Sequence, residues 1–331
     1  MKKITAIFLT IALLLSLAGC GKSNALTPTG YAENYKVAIV QQLDHSSLDE
    51  IRLSVRKQLQ TLEAKNGVGV VIADFNGQND ASMLGQIGAQ VASGGYDLVI
   101  PIGTLAAQAM VTALDGSDIP VVYAAISDPE SAGLTGFDWV TGTSDALNTE
   151  LILEMMLQAA PEEVQTVGLL YSNSEPNSEK PIAQAKEYLD KNYITYVEAT
   201  GNTADEVLTA AASLVGRVDA VFTPTDNTIM ASAGAVAEIL TEAGIPFYAG
   251  ADSFVAAGAF ATCGVNYVEL GQVTADMAFG ILQGGKVGDY QTVSGGIITV
   301  NSETAKALGL DPMVFSQLEE ASAIETVAAG E

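Results

Sequence analysis

Short apolar runs alternate along this chain with longer stretches of helical period. Val37-Ala38-Ile39-Val40 reads as a strand, and a helix follows to about Lys65, its start marked by Ser47 and Glu50 at capping-box spacing. Val68 to Ala73 is the next strand, and Asp80 caps a helix that ends near Gly94-Gly95. Asp97 to Ile100 is a strand, Thr104 begins a helix, and Pro120 to Ile126 and Val140 to Ser144 are strands. The pattern then starts again: helix 148–159, strand Val167 to Tyr171, helix 179–190 and strand 194–199. A second capping box, Thr203 to Glu206, opens helix 204–216; strand 219–223, helix 227–243 and strand 246–249 follow. Tyr267 to Gly280 is a helix and Gly296 to Val300 a strand. Short strands of β-branched or apolar residues, alternating with helices, predict βαβ units and parallel sheets covered on both faces.

The two halves echo each other. Asp97-Leu98-Val99-Ile100-Pro101 aligns with Asp219-Ala220-Val221-Phe222-Thr223, and Ile119-Pro120-Val121-Val122-Tyr123 with Ile245-Pro246-Phe247-Tyr248-Ala249. The fold class expected is α/β: two doubly wound parallel-sheet lobes joined by a hinge. Residues 36–145 plus about 256–283 form the first lobe, and 146–255 plus about 284–331 the second.

The N-terminus has a different pattern. Lys2 and Lys3 precede an apolar run from Ile4 to Ala18, which ends in Leu17-Ala18-Gly19-Cys20. The run has the length of an export signal and is short for a membrane span. Small residues before a cysteine resemble the lipobox of bacterial lipoproteins. That resemblance implies a signal peptide over 1–19, lipid on Cys20 and a tether over 20–35, so the membrane is reached only through the anchor.

Composition narrows the chemistry. The 331 residues carry 14 Lys+Arg against 39 Asp+Glu, a net charge of −25, so nucleic acid is not an expected partner. Two cysteines and one histidine exclude a disulfide framework and a multi-histidine metal site. There is no Gly-x-Ser-x-Gly elbow, phosphate loop or calcium loop, and Gly284-Gly285-Lys286-Val287-Gly288 reads as a turn. Asp44, His45 and Ser46 are adjacent in sequence, which does not make a triad. No enzyme activity, metal or cofactor is expected.

Ligands of open α/β sheets bind beyond the carboxyl ends of the strands. There this chain places Asp44, His45, Thr104, Ser127 and Asp128 in its first half. The second half contributes Ser172, Asn177, Ser178, Thr225, Asp226, Asn227 and Asp252. Hydroxyls and helix N-termini suit a carboxylate, and an aspartate suits an ammonium, so a zwitterion fits between the lobes. Asp226 or Asp252 is the expected ammonium partner, and Asp226→Ala is expected to abolish binding with the fold intact. Phe254, Tyr123 and Tyr267 are candidates to face an apolar side chain.

The same loops resemble the ABC-transporter substrate-binding lipoproteins of the tryptophan/tyrosine type. The resemblance rests on Ile102-Gly103-Thr104, Ser127-Asp128-Pro129, Asn177-Ser178, Thr223-Pro224-Thr225-Asp226-Asn227-Thr228 and Ala249-Gly250-Ala251-Asp252-Ser253. It implies a type I periplasmic-binding-protein fold and an exported, lipid-anchored monomer. It also implies an aromatic amino acid in the cleft and a membrane permease as partner. The residues alone leave open a sensor in place of a transport component, and a sugar or nucleoside in place of an amino acid.

Overall fold

The computed structural model describes residues 34–160, 164–293, 295–317 and 323–327. The leader, Cys20 and the tether lie outside the described residues. The first half runs β1 (Asn34–Gln41), α1 (Ser46–Asn66), β2 (Gly69–Asn76), α2 (Ala81–Ser93), β3 (Leu98–Ile102), α3 (Thr104–Leu114), β4 (Val121–Tyr123) and β5 (Val140–Ser144). Its strands pair in parallel in the order β5-β4-β3-β1-β2.

The second half runs α4 (Thr149–Ala159), β6 (Thr166–Tyr171), α5 (Pro176–Lys191), β7 (Thr195–Thr200), α6 (Ala204–Leu214), β8 (Ala220–Thr223), α7 (Asn227–Met230), α8 (Ala233–Glu242), β9 (Phe247–Ala249), α9 (Asp252–Ala256) and β10 (Ala261–Gly264). Its strands repeat the first order as β10-β9-β8-β6-β7. The segments aligned by sequence, around Asp97 and Asp219 and around Ile119 and Ile245, fall on equivalent strands of the two sheets.

The C-terminal stretch is shared. α10 (Tyr267–Leu282) packs on α1 in the first lobe, and β11 (Gln291–Thr292) extends the first sheet beside β5. β12 (Ile297–Asn301) runs antiparallel to β10, and β13 (Ala323–Val327) lies beside it, with α11 (Ser302–Leu308) and a short 3-10 turn between. The lobes therefore divide this stretch differently from the expected boundaries. Ala261 and Cys263 are buried in the second lobe's core, which keeps β10 there, and Gln291–Thr292 returns to the first sheet. The chain crosses between lobes after β5, β10 and β11.

Each sheet is covered on both faces. In the first lobe Ala38, Val40, Val99 and Val121 pack under α2 and α3. The opposite face, with Val37, Ile39 and Ile100, packs under α1 and α10 and belongs to a core that continues through the interlobe seam to α6–α9. The second lobe's other face packs under α4, α5 and α11.

Three local details depart from the pattern. His45, not Ser47, caps α1: its side chain accepts from Leu48 N–H, and Ser47 sits inside the first turn. The helix expected over 227–243 breaks at Ala231-Ser232, although Ile229, Met230, Ala233, Val236 and Leu240 stay buried across the break. The apolar period survives the kink, so the pattern reads as one helix. The box at Thr203 forms in part: Thr203 Oγ1 accepts from Glu206 N–H at 3.3 Å, but the Glu206 carboxylate accepts from Asn202 N–H, one residue before the cap, at 2.9 Å.

Candidate ligand-binding site

The carboxyl ends of both sheets face each other across a buried seam. From the first lobe, His45, Ser47, Leu48, Thr104, Ser127 and Asp145 line it, with Tyr267 from the start of α10. From the second, Asn177, Thr225, Asp226 and Asn227 supply polar groups, and Met230 and Phe254 supply apolar ones. The space between them is about 20 Å³, enough for a water or two and far below the roughly 300–1,000 Å³ of small-molecule pockets.

Hydrogen bonds stitch the lobes together. His45 Nε2 lies 3.0 Å from Asn227 Oδ1, and Ser127 Oγ lies 3.2 Å from Thr225 Oγ1. Ser47 and Ser253 hydroxyls meet, Gln42 Nε2 donates to Glu175 at 3.1 Å, and Asn79 Nδ2 donates to Thr228 Oγ1 at 3.4 Å. At the rim, the Lys180 ammonium pairs with Asp128 at 3.0 Å. Burial works against the Asp128 charge, but Lys180 and Ser131 outweigh it and hold its pKa below the ordinary value.

His45 is a neutral ring. Burial lowers its pKa, and its contacts define one tautomer: Nδ1 accepts from Leu48 N–H at 3.5 Å, so Nε2 carries the proton toward Asn227 Oδ1. Asn227 is oriented in turn by donating Nδ2 to Glu175 Oε2 at 3.0 Å.

The candidate aspartates separate by environment. Asp226 turns its carboxylate into the second lobe. Oδ2 accepts from Ser172 N–H and Ser178 Oγ, both at 2.7 Å, and Oδ1 accepts from Ile229 N–H at 2.9 Å as the cap of α7. Ser172 and Ser178 are thus partners of Asp226 beneath the seam and do not line the cavity. Asp44 is exposed beside Gln41, and Asp252, half-buried, accepts from the Ser253 N–H; neither lines the cavity. Tyr123 is buried in the first lobe's core, away from the seam.

Two acidic residues outside the expected set are buried at the seam instead. Asp145 follows β5 and is 3% exposed. Its Oδ1 accepts from Ser127 Oγ at 3.0 Å and its Oδ2 from the Tyr267 hydroxyl at 3.2 Å. Among the described residues no cation pairs with it, and burial raises its pKa. Glu175, 1% exposed, accepts from Gln42, Asn227 and Thr228. Asn177 Nδ2 donates to Thr225 O at 2.6 Å, which leaves its buried Oδ1 on the seam without a partner among the described residues. Asp145 is open to the same reading as the other loop residues, because it too follows a strand, Val140–Ser144.

Residues 36–313 match the profile of a family described as ABC transporter substrate binding protein. The chain belongs to that family. A tyrosine-binding protein of Clostridioides difficile is 33% identical over 327 residues, covering 94% of both chains. The ABC domain from Streptococcus pneumonia in complex with L-Trp superposes with a TM-score of 0.81 at 30% identity, covering 88% of this chain and all of that one. The ligand-free, open structure of a substrate-binding protein with adhesive properties from Clostridium difficile is 36% identical over the same shares but gives only 0.64. That relative is described as open, whereas here hydrogen bonds cross the seam between the lobes. This substrate-binding protein has the closed setting, in keeping with its cross-seam hydrogen bonds.

The family settles the coarse function. The chain is the extracytoplasmic substrate-binding component of an ABC transporter, a binding protein rather than an enzyme, with the two-lobed fold of periplasmic binding proteins.

Proposed function

We propose that this protein binds an aromatic amino acid between its lobes and hands it to a membrane permease, held at the outer face of the membrane by lipid on Cys20. The observation that carries the ligand reading is Asp145, a buried carboxylate at the seam with two hydroxyl donors and no cation. An isolated buried charge is strongly disfavoured, and an ammonium brought by the ligand would relieve it. Asn177 Oδ1, buried and unpartnered, offers that ammonium a second acceptor.

The rest of a zwitterion finds complementary groups. Thr104, at the first turn of α3, and the hydroxyl of Thr225 are donors for a carboxylate, aided by the positive end of α3, while the Ser127 proton stays with Asp145. Leu48, Met230 and Phe254 form the apolar wall for a ring. The relatives named for tyrosine and solved with L-Trp support the same class. Since the seam as it stands admits only water, the ligand enters an opened cleft and the lobes close on it.

Calorimetric titration with L-tyrosine, L-tryptophan, L-phenylalanine, glucose and adenosine tests this. Saturable heat with an aromatic amino acid alone is the expected result. Binding of glucose or adenosine in their place would overturn the ligand while leaving the fold and family untouched.

A further inference from the structure

Glu175 stands apart from the ligand groups. It caps the start of α5 without a side-chain bond to its own helix, and its carboxylate instead reaches the seam. Among the described residues its side-chain donors are neutral: Gln42 Nε2 at 3.1 and 3.4 Å, Asn227 Nδ2 at 3.0 Å and Thr228 Oγ1 at 3.2 Å. Gln42 belongs to the first lobe, and its Oε1 accepts from Leu105 N–H at 3.0 Å, while Asn227 presents Oδ1 to His45. One carboxyl therefore orients groups on both sides of the cavity through Gln42 and Asn227, and it does so only when the lobes meet.

We infer that Glu175 is a positioning residue whose burial at the seam makes lobe closure on the ligand take up a proton. This rests on the proposed binding of an aromatic amino acid and adds a linked proton to it. Opening the cleft separates Glu175 from Gln42 and lets water reach the carboxylate, which then ionises as an ordinary glutamate does. Closure removes that water and supplies no cation. The neutral acid has a place for its hydrogen: Oε1–H donates to Thr228 Oγ1, 3.2 Å away, with the threonine hydroxyl reversing its role.

The charges around it agree in sign. Burial first, then the nearby Asp226 carboxylate, push Glu175 up to about 7. The β1–α1 loop and α1 bring Asp44, His45 and Asp49, and the start of α2 brings Asp80. On its own helix lie Glu179 and Lys180, whose ammonium is taken by Asp128. The hydrogen bonds from Asn227, Gln42 and Thr228 favour the charged form and are outweighed by burial and Asp226. His45 opposes in the proton count: its pKa falls on burial, so closure sheds a proton from it in acid, and this fades above its ordinary range near 6.5.

The test is calorimetry with L-tyrosine in phosphate and in Tris, whose ionisation heats differ, on the wild type and Glu175→Gln. The amide keeps a donor toward Thr228 and cannot titrate. At pH 7 the wild type is expected to take up about half a proton more than the variant, as a group titrating near 7 requires. Between pH 6 and pH 8 its affinity falls about tenfold further than the variant's. A purely structural Glu175 would shift both affinities alike and leave the proton count unchanged, which would overturn the inference. If the variant does not fold, the wild type alone decides at pH 7.5, where the ordinary His45 is already neutral: about a quarter of a proton is expected, and none would overturn it. No binding of L-tyrosine or L-tryptophan at any pH would overturn the ligand reading and this inference with it; binding without proton uptake would overturn this inference alone.

Discussion

At the scale of single residues, two aspartates on one seam are set for different work. Asp226 is saturated by three donors from its own lobe, whereas Asp145 holds two hydroxyls and faces the cavity. Paired substitutions separate them. Asp145→Asn keeps the size and is expected to weaken L-tyrosine binding about a hundredfold or more, as loss of one partner from a buried ion pair does, with the melting temperature of the free protein held or raised. Asp226→Ala is expected to lower stability by about 1–3 kcal/mol, because it leaves the buried Ser172 N–H without its acceptor and removes the α7 cap. Titration calorimetry and thermal unfolding of both variants check this. The loops that build the site were legible, since Asp, Asn, Ser and Thr after apolar strands mark the carboxyl edge of a parallel sheet. Which aspartate is left without a full set of donors at the seam was not: Ser172 and Ser178 lie 54 and 48 positions from Asp226, and only the fold brings them onto it.

At the scale of elements, α1 and α10 pack closely at Gly271. A Cβ on Gly271 would come within 2.7 Å of Ser54 Cβ and 2.9 Å of Ile51 O, and Ser54 Oγ donates to Val268 O at 2.6 Å. Gly271→Val is expected to destabilise the protein by about 1–3 kcal/mol through overpacking, read by urea unfolding as a lower midpoint at unchanged slope. Gly142 is bound by contact too: a Cβ there would overlap Tyr123 O on the neighbouring strand. The strand–helix alternation was readable because parallel strands buried on both faces are apolar nearly throughout, as Leu98–Ile102 is and as Ala220–Thr223 is up to its last residue. The break at Ala231-Ser232 and the cap at His45 escaped the pattern. The first keeps the apolar period, and the second depends on which residue of Asp44-His45-Ser46-Ser47 turns inward. β11 is two exposed residues, too short and too polar to announce itself.

At the scale of the whole molecule, the lobes are held by many small polar contacts, with one ion pair, Lys180–Asp128, crossing the rim among those described. Such contacts are individually weak, and the open relative shows that this fold also adopts a separated setting. L-tyrosine is therefore expected to shrink the radius of gyration measured by small-angle X-ray scattering. An unchanged radius with saturable binding would mean that the lobes are closed before the ligand arrives. The two-lobe plan was legible from the repeat of Asp97–Pro101 in Asp219–Thr223. The paths of the C-terminal crossings were not, because they depend on which sheet edge each short segment reaches.

Those crossings bear on how the molecule comes into being. The face of α1 that carries Ile51 and Ser54 is covered by α10, more than two hundred positions later, and the first sheet is completed only by Gln291–Thr292. A growing chain that has emitted every residue of β1 to β5 still lacks the helix that seals its first core. Contacts so distant in sequence form slowly. For a substrate-binding protein, which works outside the cytoplasm, that delay leaves the first lobe unsealed until α10 has been made.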